Sequence, residues 1–193
     1  MASCAELLTG IEGTCDAIKR PGGLDKRVWI GVVSDLTAIT QTANTNEITA
    51  FTFAATKGLK KFIGRNEKHS GTVGFEAGDN VNIIPQELSL VLYVKSAAER
   101  KSLDDLLKVN DNCLFVIVET NAGQLEVWGI NKSTNFNNFG LKPSGNQGST
   151  GVMLNDSTAF TVTLSGKLLN SPLLYKEATA IETAIGEIDA LVV

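Results

Sequence analysis

The chain has 193 residues, 43% hydrophobic and 20% charged, so it can bury a sizeable core and is not disordered as a whole. With 21 acidic and 17 basic residues its net charge is −4, which argues against sequence-independent nucleic-acid binding, a mode that needs Lys and Arg on phosphates. The longest apolar run, Cys113–Val118, is far short of a membrane span, and MASCAELLTGIEGTCDAIKR lacks the basic-then-apolar order of a secretory signal.

The first stretch, Ala2–Arg20, is weakly helical, interrupted by Gly10 and Gly13 and stopped by Pro21-Gly22-Gly23. Val28–Ser34 then reads as a strand that is apolar on both faces, which predicts a central position covered on two sides. A polar connector, Thr37–Asn46, leads to a strand at Ile48–Phe53 with Phe51 and Phe53 on one face. Lys57–Glu76 reads as two strands, the second including Val73–Phe75, joined in a long hairpin at a charged tip around Asn66–Ser70. Lys57, Lys60, Lys61, Arg65 and Lys68 make it the densest basic cluster of the chain. Such lysines guard a strand edge against unwanted pairing, or they form an arm that contacts the acidic surface of a neighbouring copy.

Leu88–Val94 is a strand with Leu88, Leu90, Leu92 and Val94 on one face. It feeds the principal helix, Ser96–Val109, where Ser96 and Glu99 have the spacing of a capping box. Ala98, Leu103, Leu106 and Leu107 supply its apolar stripe, and Asn110-Asp111-Asn112 ends it. Cys113–Thr120 and Gln124–Ile130 form a hairpin around Asn121-Ala122-Gly123. Asn131–Asn155 is read as a long polar loop, followed by a half-buried strand at Ala159–Ser165. In Tyr175–Val193, Ile181, Ile185, Ile188 and Val192 recur at spacings of four, three and four, a helical stripe that packs on its own core or on a neighbouring subunit.

No catalytic set emerges. The single histidine, His69, lies in a turn, and Cys113, its only conceivable thiol partner, opens an apolar strand and reads as a core filler. Cys4, Cys15 and Cys113 are an odd number without a close pair, as expected of reduced thiols in a cytoplasm and not of a metal or redox motif. Asp104 and Asp105 are adjacent on a helix and diverge. Gly166-Lys167 is followed by Leu168, not Ser or Thr, and Gly145, Gly148 and Gly151 precede a strand, so neither phosphate-binding pattern is met. The expectation is a protein with no enzymatic activity, no cofactor and no metal. Trp29 and Trp128 sit in strands and read as core, against a carbohydrate- or receptor-binding module with aromatics along a groove.

VWIGVV at 28–33, LFVIVETNAGQLEVWGINKS at 114–133 and FTVTLSGKLLNSPLLY at 160–175, with the charged segment and the strand-helix-strand unit between them, resemble the major tail tube proteins of tailed bacteriophages and related injection machines. The resemblance is one of pattern and size over most of the chain. It implies one mainly-β domain over 1–193 with one principal helix, an antiparallel β-sandwich or barrel-like pair of sheets. It further implies a virion protein of the tail, assembled in the host cytoplasm into stacked rings, typically hexameric, that conduct DNA without binding it tightly. Other tail or neck proteins would be its further partners. Segments 1–27 and 175–193 would contribute contacts between subunits, with Lys60, Lys61, Arg65, Lys68, Ile181, Ile185, Ile188 and Val192 as candidates. The alternatives are a head-decorating, neck or baseplate protein of such a particle, or a receptor- or carbohydrate-binding β-module.

Overall fold

Apolar side chains on both faces put the first strand, Leu24–Val32 (β1), in the middle of the molecule. The computed structural model describes residues 23–43, 45–64, 68–79, 81–94, 96–109, 111, 113–132, 140–149, 159–176 and 179–193. Cys4, Cys15, Arg65, residues 66 and 67 of the hairpin tip at 66–70 and the weak helix at 2–20 lie outside these. After β1, a 3-10 turn at Val33–Asp35 leads to Leu36–Gln41 (β2), Glu47–Phe53 (β3), Lys60–Ile63 (β4), Ser70–Val73 (β5) and Ile84–Leu92 (β6). The principal helix is Ala97–Leu107 (α1). There follow Leu114–Thr120 (β7), Leu125–Trp128 (β8), Lys142–Ser149 (β9), Ala159–Leu168 (β10), Leu173–Tyr175 (β11) and a second helix, Ile181–Asp189 (α2).

The strands form a seven-stranded sheet in the order β2-β3-β11-β8-β7-β1-β4 and a four-stranded sheet in the order β5-β6-β10-β9. The fold is therefore mainly β, as expected, and the sheets do not close into a barrel. All strand pairs are antiparallel except β3 with β11. Isolated bridges join Leu24 to His69, Gly64 to Leu92 and Leu114 to Leu141, stitching one sheet to the other at their margins.

Two cores result, one on each face of β1 and β7. Between the sheets, Val28, Ile30, Val116 and Val118 meet Leu88, Leu90, Leu92, Val162 and Leu164, with Leu103 and Leu106 of α1 closing the layer. On the opposite face, Trp29, Phe115 and Ile117 meet Ile48, Phe51, Tyr175 and the α2 residues Ala184, Ile185 and Ile188. Each large apolar side chain removed from water contributes about 1.5–3 kcal/mol before entropy is subtracted. Trp29 and Trp128 are both core, as their strand positions predict.

The capping box at α1 is complete: Ser96 Oγ accepts from Glu99 N–H at 3.1 Å, and Glu99 Oε2 accepts from Ser96 N–H at 2.8 Å. Other expectations are corrected. Residues 57–76 are not a hairpin: β4 pairs with β1, whereas β5 pairs with β6 in the other sheet. The crossing is favoured by Gly71, where a Cβ would lie 2.5 Å from the Trp128 ring, so only glycine lets this strand lie over the indole. β5 ends at Val73 and does not continue as a strand to Phe75. The supposed connector at 37–46 contains most of β2, and the supposed loop at 131–155 contains β9, which pairs along β10 from Ser165 to Ala159. The final helix takes Ile181, Ile185 and Ile188 of the stripe but ends at Asp189, and Val192 instead bridges to Leu59 just before β4.

Candidate functional site

Two features bear on function: the polar clamps that hold α2, and the strand edges left open around the two sheets. At the first clamp Arg27, from β1, donates to Glu119 of β7 through Nε at 2.6 Å and Nη2 at 2.8 Å, and reaches Glu182 of α2 at 3.4 Å. Burial pushes the Glu119 carboxyl up, and the Arg27 hydrogen bonds oppose it. At the second, Asp189 accepts from Trp29 Nε1 and from Lys61 Nζ, each at 2.8 Å. The Lys61 ammonium also lies 5.6 Å from the centre of the Trp29 ring. Burial alone would raise Asp189, but the bonds from Lys61 and Trp29 outweigh it and hold the carboxyl below its usual range. At the third, Glu187 accepts from the Tyr175 hydroxyl at 3.1 Å and pairs with Lys176.

These clamps decide the standing of the candidate contact residues within the subunit. Lys61 is engaged by Asp189, and Lys60 Nζ donates to a Val193 oxygen at 2.8 Å. Ile185 and Ile188 are buried in the chain's own core, with Ile181 and Val192 packed against it. The stripe of 181–192 therefore docks on its own sheet. Lys68 is exposed, beside the buried His69. The structure thus brings Lys60, Lys61 and α2 together but as internal struts, and Arg65 lies outside the described residues.

The edges differ in how they are guarded. β4 is flanked at its start by residues 191–193: Leu59 N–H donates to Leu191 O at 2.9 Å and Val193 N–H to Leu59 O at 3.2 Å. β5 is four residues long. β9 runs eight residues, KPSGNQGS, and among the described residues pairs only with β10; past Lys142 and Pro143 it has neither charge nor proline. β2, LTAITQ, is the corresponding edge of the larger sheet and is also uncharged. Long uncharged edges present unsatisfied backbone donors and acceptors to another strand, and monomers normally blunt them.

A catalytic reading gains nothing from the geometry. His69 bridges to Leu24 at one end of β1, whereas Cys113 N-terminally adjoins Leu114, which faces Val32 at the other. Eight residues of strand rise separate them, about 26 Å. Burial pushes the Cys113 thiol up, the opposite of what a nucleophile needs. Among the described residues, no three His, Cys, Asp or Glu side chains are grouped to hold a metal, and no helix is long and apolar enough to cross a membrane. An open groove of about 490 Å³ lies on the four-stranded sheet among Thr72, Glu87, Lys142, Ser165 and Lys167.

Sequence reasoning missed both edge strands, β2 and β9. For β2 a signal existed, since Thr37, Ile39 and Thr40 are β-branched; for β9 there was none, because Gly, Ser and Asn are poor strand formers. No protein family, curated protein or solved structure matches this chain.

Proposed function

We propose that this chain is a structural subunit of a phage-type tail tube, which assembles with copies of itself into stacked rings, six to a ring, around a channel for DNA. The observation that carries the reading is the pair of edges β2 on one sheet and β9, polar past Lys142 and Pro143, on the other, whose outer sides have no strand beside them among the described residues. Two different edges on one subunit suit a head-to-tail contact, in which one face meets a different face of the next copy, the arrangement that closes rings. The resemblance of 28–33, 114–133 and 160–175 to tail tube proteins supports the same reading, as does the net charge of −4, which disfavours retention of passing phosphates. The role is mechanical and needs no catalytic group. Its place is the virion tail, after assembly in the host cytoplasm, beside other tail or neck proteins.

The test combines negative-stain microscopy and sedimentation of the full chain with the variant Gly145→Lys. Gly145 is exposed, and a Cβ there meets nothing closer than Thr163 at 3.9 Å, so the fold tolerates the change while β9 gains a charge. The expected result is rings or tubes for the unaltered chain and a smaller, folded species for Gly145→Lys. A chain that stays monomeric at high concentration overturns the proposal; tubes unaffected by Gly145→Lys remove β9 as the contact.

A further inference from the structure

His69 is the only histidine of the chain and is 3% exposed. It stands where β1, the end of β4, the start of β5 and β6 converge. Its backbone bridges to Leu24, and its Nδ1 accepts the Val91 N–H at 2.9 Å. An accepting Nδ1 is unprotonated, so the ring is neutral and its proton resides on Nε2. Nε2 is buried and has no hydrogen-bond partner. Gly64 lies flat against the ring: a Cβ there would fall 2.2 Å from Cε1 and Nε2 and 2.3 Å from the Val91 carbonyl. Gly64 N–H in turn donates to Lys26 O at 2.8 Å. One imidazole thus packs between Gly64, just past the end of β4, and Val91 of β6, beside the start of β5.

Protonation would dismantle this contact. In the imidazolium both nitrogens are donors, so Nδ1–H would point at the Val91 N–H and leave two donors face to face without an acceptor. We propose that His69 is an acid-released latch, whose neutral ring holds the start of β5 on β6 beside Gly64 and whose protonated ring lets it go. The surroundings set the direction. Burial dominates and lowers the affinity of the ring for a proton, opposed by the Asp25 carboxylate and the Lys26 carbonyl of β1. That carbonyl already holds Gly64 N–H. Lys68, next in the chain, adds a positive charge; Lys60 and Lys61 of β4 are engaged by Val193 and Asp189. β6 carries Glu87 toward its start and, past its end, Tyr93, with uncharged residues between. The closed ring therefore refuses a proton that the open ring accepts at its ordinary value, about 6.5, so acid favours the open form. Its population rises about tenfold for each pH unit below that value until the closed ring itself titrates.

Hydrogen exchange of the peptide containing Val91 tests this, with rates corrected for intrinsic pH dependence and with β7 as internal reference. Protection at Val91 is expected to be flat above about pH 6.5 and to fall about tenfold per unit from there down to about pH 5. His69→Gln offers an amide oxygen to Val91 without a titrating proton and is expected to lose the step. Identical profiles for the two proteins overturn the latch. So does a histidine Cε1–H resonance that titrates at or above the ordinary value, a measurement that needs no variant and stands if His69→Gln does not fold. Neither readout depends on ring formation, so the latch and the tube reading fail separately.

Discussion

Asp189 gives the sharpest test of how α2 is held. Its Oδ1 accepts the indole N–H of Trp29, a residue with 0% exposure, and its Oδ2 accepts from Lys61. Asp189→Ala leaves the indole donor buried without a partner, a loss of about 1–3 kcal/mol. The ion pair adds little, because the Lys61 and Asp189 side chains are 31% and 38% exposed and solvent screens them to about 0–1 kcal/mol. Asp189 also sits in the last turn of α2, where a negative charge opposes the helix dipole, so removing it returns about 0.3–1 kcal/mol. The net expectation for Asp189→Ala is a loss of about 2 kcal/mol, or about 4–8 °C in Tm for a chain of this size. Asp189→Asn keeps the acceptor for Trp29, and its lost ion pair offsets its relieved dipole, so the change stays within about 0.5 kcal/mol. Urea titrations followed by tryptophan fluorescence and far-UV dichroism measure both. If Asn costs as much as Ala, the charge and not the indole bond anchors α2, and the reasoning fails.

Acid is expected to act on α2 in a second, lower window. The Lys176 hydrogen bond lowers Glu187, and the Lys61 and Trp29 bonds hold Asp189 down against the burial that opposes them. Carboxyls depressed in the folded state contribute stability above their unfolded values, and it is lost as pH falls through the folded ones, here below about pH 4. An acid titration of His69→Gln, which removes the upper window, should keep this lower loss; stability that is flat down to pH 2 would refute it. Gly31→Ala is expected to cost about 1–3 kcal/mol through overpacking. Its Cβ would lie 2.4 Å from the buried Phe115 ring and 2.9 Å from Leu59, and Phe115 is itself stacked 5.6 Å from Phe51. A urea midpoint unchanged in Gly31→Ala would show that this layer is looser than its distances imply.

The elements that were legible in the sequence are those whose side chains alone decide their place. β1 alternates apolar residues on two faces and is covered on both; α1 has a capping box and a stripe, and both are realised. What stayed hidden depends on partners far along the chain. The 57–76 segment has the local pattern of a hairpin, but the pairing of Lys61 with Trp29 and of Thr72 with Glu87 divides it between sheets. No local rule distinguishes a hairpin from a crossover when both halves are short strands separated by polar residues. β9 is recruited by the long edge of β10, and its composition carries no strand preference of its own. The stripe of 181–192 was legible as a helix, yet whether it faced its own core or a neighbour required the sheet that Phe51, Phe115 and Tyr175 build beneath it.

That last point bears on how copies of this chain would meet. Both faces of the central strands are already covered within the subunit, and the basic residues Lys60 and Lys61 are committed to Val193 and Asp189. Assembly by burial of a large apolar face, or through Lys60 and Lys61 reaching an acidic neighbour, would require these contacts to be broken first. Edge pairing requires no such loss, since the outer donors and acceptors of β9 and β2 have no strand beside them among the described residues. A subunit that folds completely on its own and associates through its edges separates two quantities that an obligate oligomer merges. Asp189→Ala should lower the stability of the subunit while leaving its edges intact, and Gly145→Lys should alter assembly while leaving the subunit's stability intact. The independence of those two effects is the physical content of reading this fold as a self-sufficient building block.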